Sequence, residues 1–114
     1  MIEIYERYVE ERKNARIIKN ENGFIEFAFQ KDVHNESCCF INELYILPEA
    51  RKKGCGAQLE DEVIYRAQER GIKRLYTSID PRAQGSQDIL EVLLKRGYKL
   101  YSAGMNVVYF KKEI

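Results

Sequence analysis

The chain has 114 residues, of which 45% are hydrophobic and 32% are charged, and its formal net charge is +1. A length of this order predicts one domain, residues 1–114, with a core of its own. A net charge so close to zero gives no electrostatic reason to expect nucleic-acid binding, and no apolar run is long enough to span a membrane.

The cysteines and the histidine argue against a metal site. Cys38, Cys39 and Cys55 follow no metal-binding spacing, and His34 lies in a polar stretch where a solvated loop residue is the common interpretation. An odd number of thiols without a signal peptide favours reduced cysteines. We therefore expect a cytoplasmic protein without a metal cofactor.

The N-terminal residues predict a helix. Residues 1–13 place Ile2, Tyr5, Tyr8 and Val9 on one face, with charged residues elsewhere. This spacing is typical of an amphipathic helix, although a mixture of strand and helix also fits it.

Three strands are predicted next. Residues 15–19 and 24–30 flank the dipeptide Asn22-Gly23, which can supply the positive φ of a hairpin turn. These two segments are therefore predicted to be antiparallel strands. After a polar loop at residues 31–35, the β-forming run at residues 36–47 is the third strand.

The second half of the chain predicts two helices that alternate with strands. A helix at residues 58–70 ends at Gly71, and a second helix begins with Ser86 as its N-cap and ends at Gly97. The apolar residues that we expect these helices to bury are Leu59, Val63, Ile64, Ala67, Ile89, Leu90, Leu93 and Leu94. Strands are predicted at residues 73–79, 98–102 and 106–111, the last two joined around Gly104.

The predicted order is thus α-β-β-β-α-β-α-β-β. A hairpin followed by strands that alternate with helices indicates an α/β (α+β) domain, with a mixed and mostly antiparallel sheet flanked by helices.

A turn of cations and glycines separates the third strand from the long helix. Arg51, Lys52 and Lys53 precede Gly54 and Gly56. Glycines let several backbone N–H groups point at one place, and a helix N-terminus adds unpaired N–H groups and a positive dipole end. Such a turn suits a phosphate or pyrophosphate, although an ordinary solvated turn is the alternative. Neither GxxxxGK[ST] nor GxGxxG is present.

Residues 43–57, ELYILPEARKKGCGA, resemble the acetyl-CoA-binding motif of the GCN5-related N-acetyltransferases, the GNAT superfamily. The family pattern [R/Q]-x-x-G-x-[G/A] after a hydrophobic strand is present as Arg51-x-x-Gly54-x-Gly56. The resemblance continues through Gly97-Tyr98 and covers residues 15–112. It implies the GNAT fold from that fold's second strand onward, with acetyl-CoA as cosubstrate.

The resemblance also implies which residues bind CoA. The backbone of Leu44, Tyr45 and Ile46 would pair with the pantetheine arm, in a gap between the third and fourth strands. The turn would wrap the pyrophosphate, chiefly through N–H groups, whereas the lysine side chains would add only screened attraction. The residues of this turn are Arg51, Lys52, Lys53, Gly54, Cys55, Gly56 and Ala57. Ser86 falls where many relatives have an Asn that contacts the pantetheine region.

The implied reaction is direct acetyl transfer from the thioester to an amine of a small molecule or a protein. Glu43 lies where many relatives carry a strand glutamate that acts as a base, and burial would raise the pKa of such a carboxyl. Asp80 is the weaker candidate, because an Asp before Pro81 commonly forms a turn. Leu93 falls where many relatives have a Tyr that protonates the thiolate.

The missing tyrosine leaves two functions open. Tyr45, Tyr76 or Tyr101 could donate the proton instead, although strand tyrosines usually serve packing. The alternative to an enzyme is a non-catalytic GNAT-fold module that binds CoA or a protein partner in a regulatory or assembly role.

Two further expectations concern assembly and reactivity. The N-terminal strand and two helices of the family are reduced here to one segment, so a second subunit is expected to complete the acceptor pocket. Residues 106–110 are strongly β-forming and are expected to have one strand neighbour, which favours a homodimer through the C-terminal strands or residues 1–13. Cys55 is expected to be alkylated before Cys38 and Cys39, because a helix N-terminus and nearby cations favour thiolates.

Overall fold

The structure is a computed structural model that describes residues 2–114, with the backbone alone described for Ser86. The element order confirms the predicted α-β-β-β-α-β-α-β-β arrangement and the α/β class. The helices are α1 (Ile2–Tyr8, continued by a π-helical turn at Val9–Lys13), α2 (Cys55–Glu69) and α3 (Ser86–Lys95). The strands are β1 (Arg16–Asn20), β2 (Gly23–Lys31), β3 (Ser37–Ile46), β4 (Arg74–Ile79), β5 (Lys99–Gly104) and β6 (Val107–Glu113).

The six strands form one sheet in the order β1-β2-β3-β4-β6-β5. Every neighbouring pair is antiparallel except β3 and β4, which are parallel. These two strands pair only from Cys39 opposite Leu75 to Ile41 opposite Thr77. Since β3 runs on to Ile46 and β4 to Ile79, a gap opens between them beyond the last pair.

The main core lies on the side of the sheet that carries α2 and α3, which we call the helix face. Leu59, Val63 and Ala67 are buried there, as their helical spacing predicts. On α3 the prediction is half right. Leu90 and Leu93 pack against the core, whereas Ile89 is 50% exposed and Leu94 is 54% exposed.

The opposite side of the sheet, which we call the open face, is covered only in part. Val9 of the π-helical turn is buried against Ala15 and Ala28, with Tyr5 and Ile17 packed beside them. The predicted N-terminal helix is therefore real, but Tyr8 is exposed and does not belong to its buried face. No helix within residues 2–114 is long and apolar enough to cross a membrane.

The turn between β1 and β2 forms by a different mechanism from the one predicted. Neither Asn22 nor Gly23 has a positive φ. Instead, the Asn20 side-chain oxygen accepts from the backbone N–H groups of Asn22 and Gly23, at 2.8 and 3.2 Å. Gly23 is needed for space, because a Cβ atom there would lie 2.0 Å from the carbonyl oxygen of Tyr45.

Two predictions about the C-terminal half are wrong. β6 lies between β4 and β5 and thus has two strand neighbours, so the sheet edges are β1 and β5. Residues 106–110 are internal because the chain returns between two strands already placed. The N-cap of α3 is Gly85, with φ +81, and Ser86 is the first helical residue.

Candidate functional site

The gap between β3 and β4 begins at a well-defined point. The Thr77 hydroxyl donates to the carbonyl oxygen of Ile41 at 3.1 Å, which adds a side-chain link to the last pair of the two strands. Past this link, β3 continues to Ile46 with β2 as its strand neighbour. The edge of β3 that faces the gap therefore carries backbone groups that β4 does not pair.

The direction of those backbone groups follows from one hydrogen bond. The Leu47 N–H donates to the Asn22 carbonyl at 2.8 Å, on the side of β2. Because successive strand residues direct their N–H and C=O groups to opposite sides, Leu44 and Ile46 point theirs into the gap. Tyr45, the third predicted pantetheine contact, points its backbone groups towards β2.

The turn after β3 ends at the gap. A 3-10 turn at Pro48–Ala50 leads to Arg51, whose Nε donates to the Ile46 carbonyl at 2.9 Å. The guanidinium also lies 5.7 Å from the centroid of the Tyr45 ring. Arg51 thus holds the turn against β3.

Helix α2 begins three residues before the predicted start, so Cys55, Gly56 and Ala57 form its first turn. The first helical hydrogen bond runs from the Gln58 N–H to the Gly54 carbonyl. The N–H groups of Cys55, Gly56 and Ala57 consequently have no partner inside the helix, which is the usual condition of a helix N-terminus.

The two glycines of the turn have different roles. Gly54 has φ +84, which disfavours any side chain, and its surroundings are open. At Gly56 a Cβ atom would lie 3.4 Å from Leu44 Cδ2 and 3.8 Å from Ile46 Cγ1. These are ordinary van der Waals distances, so the first turn of α2 lies directly on the strand that borders the gap, with room for no more than a small residue at position 56.

Residues 3–95 match the sequence profile of a family described as "Acetyltransferase (GNAT) family". The chain belongs to the GNAT acetyltransferase family.

Solved structures of GNAT proteins share this fold. A PaiA N-acetyltransferase from Thermoplasma acidophilum, solved with coenzyme A, is 19% identical with a TM-score of 0.70, over 82% of this chain and 54% of that one. A GNAT family acetyltransferase from Elizabethkingia anophelis, with acetyl-CoA bound, is 16% identical with a TM-score of 0.68. The match covers 100% of this chain and 84% of that one. A chain of the NatC complex, bound to Gag peptide and CoA, is 12% identical with a TM-score of 0.72. The match covers 100% of this chain and 80% of that one. A comparison with curated proteins gave no match.

Within this GNAT fold, Glu43 lies on the open face beside the gap. It stands opposite Glu26 in the β2–β3 register, and directly opposed residues point to the same face. The side chain is exposed, so it lacks the burial that was expected to suit it to a base. The carboxylate is open to solvent.

The buried carboxylate at this place is Glu26, which the sequence did not reveal. It is fully buried, and it accepts from the Tyr5 hydroxyl at 2.6 Å and from Asn42 Nδ2 at 3.0 Å. Lys13 Nζ lies 3.5 Å away. The hydrogen bond to Glu26 raises the pKa of Tyr5, and the attraction of the same carboxylate raises the pKa of Lys13. Glu26 thus fixes α1 and the π-helical turn to the sheet.

Asn42 is the extra residue of a β-bulge. Glu26 pairs with Glu43 and Phe27 pairs with Ile41, which leaves Asn42 unpaired in the register at the mouth of the gap. Together with Glu26, this bulge links the N-terminal segment of the GNAT domain to the strand that borders the gap.

The remaining predicted residues are less informative. Asp80 accepts from the Arg82 N–H at 2.9 Å, and this bond lowers the pKa of its carboxyl, so its turn role is confirmed. Leu93 is partly buried against the core and offers no proton. The predicted contact of Ser86 concerns a side chain outside the described residues.

Cys55 is expected to react first with iodoacetamide. It is half-buried in the first turn of α2, whereas Cys38 and Cys39 are buried in β3. Burial raises the pKa of the Cys38 thiol, and it raises that of Cys39 to about 12. Peptide mass spectrometry of native protein over time should show Cys55 modified first, and added CoA should slow that reaction. First modification of either β3 cysteine would contradict the accessibility of the turn, and a lack of protection would contradict its role in CoA binding.

Proposed function

We propose that this protein is an acetyl-CoA-dependent N-acetyltransferase that transfers the acetyl group directly to an amine of a small molecule or a protein. The observation that carries the proposal is the gap itself. The backbone groups of Leu44 and the N–H of Ile46 line it without a partner from β4, the Ile46 carbonyl accepts from Arg51 Nε, and the first turn of α2 lies against the same two residues.

The residues at the gap fit the shape and charge of acetyl-CoA. The N–H and C=O groups of β3 can pair with the amides of the pantetheine arm as an added strand would. The N–H groups of Cys55, Gly56 and Ala57 can bind the pyrophosphate at the positive end of α2. Bound acetyl-CoA would supply the acetyl group as a thioester, and Lys52 and Lys53 would attract its phosphates from the exposed turn.

The core determines the side from which the acceptor must approach. On the helix face, the closed end of the gap is filled by Ile41, Leu75 and Phe110. The amine therefore has to approach from the open face, where Glu43 stands. We propose that Glu43 removes a proton from the ammonium form of the acceptor, through a water molecule because the carboxylate is exposed.

The alternative is a non-catalytic module that binds CoA or a protein partner in a regulatory or assembly role. It is favoured by Leu93, which replaces the proton donor of many relatives, and by the exposure of Glu43. The enzyme requires acetyl-CoA binding, and only the enzyme releases CoA in the presence of amines.

The test compares Glu43→Gln with Glu49→Gln, a matched change of another exposed carboxylate. Calorimetry with acetyl-CoA should give equal affinities, and a thiol assay with a panel of amines should show that Glu43→Gln slows CoA release by about 100-fold. Absent acetyl-CoA binding would contradict the cofactor assignment. Binding without CoA release from any amine would establish the non-catalytic alternative.

We also propose a homodimer, now through β5. This strand is a sheet edge and all of its residues are exposed. Unpaired strand edges can pair with another chain. Pairing of two β5 strands about a two-fold axis would give the edge backbone groups of both strands hydrogen-bond partners. Light scattering over a dilution series should give a dimer mass at high micromolar concentration. A monomer mass there would contradict the dimer and the idea that a second subunit completes the acceptor pocket.

A further inference from the structure

The open face carries an aromatic pocket that no other part of the proposed function uses. It has a volume of about 310 Å³, and its walls include Phe40, Tyr76, Tyr101 and Tyr109, with Cys38 also in the lining. It lies beyond the area that the N-terminal segment covers, since Val9 and Tyr5 pack on β1 and β2. This volume is at the lower end of the range for small-molecule sites.

The rings stand in two perpendicular pairs. Phe40 and Tyr109 have centroids 6.4 Å apart at 72°, and Tyr76 and Tyr101 have centroids 5.3 Å apart at 70°. Edge-to-face pairs of this kind hold rings in fixed orientations, so the walls are formed before a ligand arrives. The Tyr76 hydroxyl is protonated at neutral pH, as an ordinary phenol is, and burial raises its pKa further.

The pocket adjoins the closed end of the gap. Phe40 pairs with Tyr76 one step before the last pair, Ile41 with Thr77. Tyr109 stands opposite Ser78, which is the first residue of β4 past Thr77. A molecule seated among these rings would thus place a flexible terminal group at the start of the gap.

The charges at the pocket disfavour a second cation on the ligand. Lys111 Nζ lies 5.3 Å from the centroid of Tyr101, so a protein cation already occupies that ring. Lys31 also lines the pocket, together with one carboxylate, Asp32. That carboxylate accepts from the N–H groups of His34 and Glu36, at 2.8 and 3.0 Å.

We propose that this aromatic pocket holds the body of the acceptor, and that the acceptor is a primary amine on an aromatic or bulky apolar body without a second positive charge. The inference rests on the proposed function and names its substrate class. The aromatic side chains bind the apolar body of the acceptor. The position of the pocket then places the amino group at the gap, on the same face as Glu43.

The first experiment compares 2-phenylethylamine, spermidine and ethylamine as acceptors. Burial of a phenyl ring should give 2-phenylethylamine a kcat/KM about 30-fold higher than that of ethylamine, and higher than that of spermidine. Equal or better use of spermidine would overturn the proposal.

The second experiment uses Tyr109→Ala and the milder Tyr101→Ser, with Tyr65→Ala as the control because Tyr65 is 62% exposed on α2. Both pocket variants should raise the KM for 2-phenylethylamine about tenfold with acetyl-CoA affinity unchanged, and Tyr109→Ala should also leave ethylamine turnover unchanged. A general loss of folding would instead lower acetyl-CoA binding and the turnover of both amines together. If Tyr101→Ser folds and leaves the KM unchanged, the proposal is wrong.

Binding without turnover separates this inference from the proposed function. Saturation-transfer NMR with 2-phenylethylamine should show binding to the wild type and reduced binding to both pocket variants, without acetyl-CoA. Such binding in a protein that fails to bind acetyl-CoA would support the pocket and overturn the acetyltransferase. A dimer that Tyr109→Ala converts to monomer would show that a second copy covers the rings, and would overturn the pocket.

Discussion

Replacement of Gly54 by Asp is expected to weaken acetyl-CoA binding by about 100-fold or more, with the fold retained. A Cβ atom at Gly54 has no neighbour within 4 Å, so the carboxylate has room. It would stand beside the N–H groups of Cys55, Gly56 and Ala57 and compete for them as a helix cap. Two like charges about 4 Å apart near a protein surface repel by about 4 kcal/mol, which is enough for a loss of this size.

The matched control is Gly71→Asp, at the other end of α2. Gly71 has φ +74 and open surroundings, so both variants should lose about 1–2 kcal/mol of stability from the left-handed backbone. Thermal unfolding should shift at least as much for Gly71→Asp, whose carboxylate lies at the negative end of α2, whereas calorimetry should show a loss of acetyl-CoA affinity for Gly54→Asp alone. Equal affinity in the two variants would remove the turn from the CoA site. Gly56→Asp should also lose affinity, because its carboxylate would lie in the same first turn of α2 and repel the phosphates.

Much of this fold is predictable because its signals are local. Leu59, Val63 and Ala67 follow one helical face, and Gly71 and Gly97, both with positive φ, mark the ends of α2 and α3. The glycine turn is predictable for the same reason. Its glycines and the start of α2 are adjacent in the chain.

The unpredicted features depend on residues that are far apart in sequence. A glutamate in a strand is expected to be exposed. Glu26 is buried instead because it meets Tyr5, which is 21 residues away, and Asn42, which is 16 residues away. The direction of the Tyr45 backbone depends on the pairing of β2 and β3, whose register shifts by one residue at the bulge beside Glu26. The aromatic pocket also requires β3, β4, β5 and β6 to be assembled before its rings meet.

Glu60 is another buried carboxylate that the sequence hides. It follows Leu59 in the predicted helix, where a charged residue is expected to face solvent, but it is buried. Its partners come from the C-terminal end of α3, from the residue before β5 and from β6. Arg96 donates to it at 3.1 and 2.7 Å, Lys112 Nζ at 3.1 Å and the Tyr98 hydroxyl at 3.1 Å. Burial, and then the Glu60 charge, raise the pKa of Tyr98.

Loss of this carboxylate is expected to cause the largest stability change of any single polar substitution considered. Glu60→Ala would leave the cations of Arg96 and Lys112 and the Tyr98 hydroxyl around an empty site inside the fold. Removal of one partner of a buried ion pair typically costs about 3–5 kcal/mol. Domains of this size are stable by about 5–15 kcal/mol, so the variant should unfold at much lower urea concentration.

Asp61→Ala is the matched control, because Asp61 also pairs with Arg96, at 2.6 Å, but its side chain is 65% exposed. An exposed pair contributes less than about 1 kcal/mol, so this variant should unfold close to the wild type. Glu60→Gln keeps the size and can still accept hydrogen bonds, and should fall between the two. Urea unfolding followed by circular dichroism measures all three. Equal midpoints for Glu60→Ala and Asp61→Ala would mean that the buried network does not hold α2 against the C-terminal strands, and that the docking of α2, whose first turn borders the gap, depends on apolar packing alone.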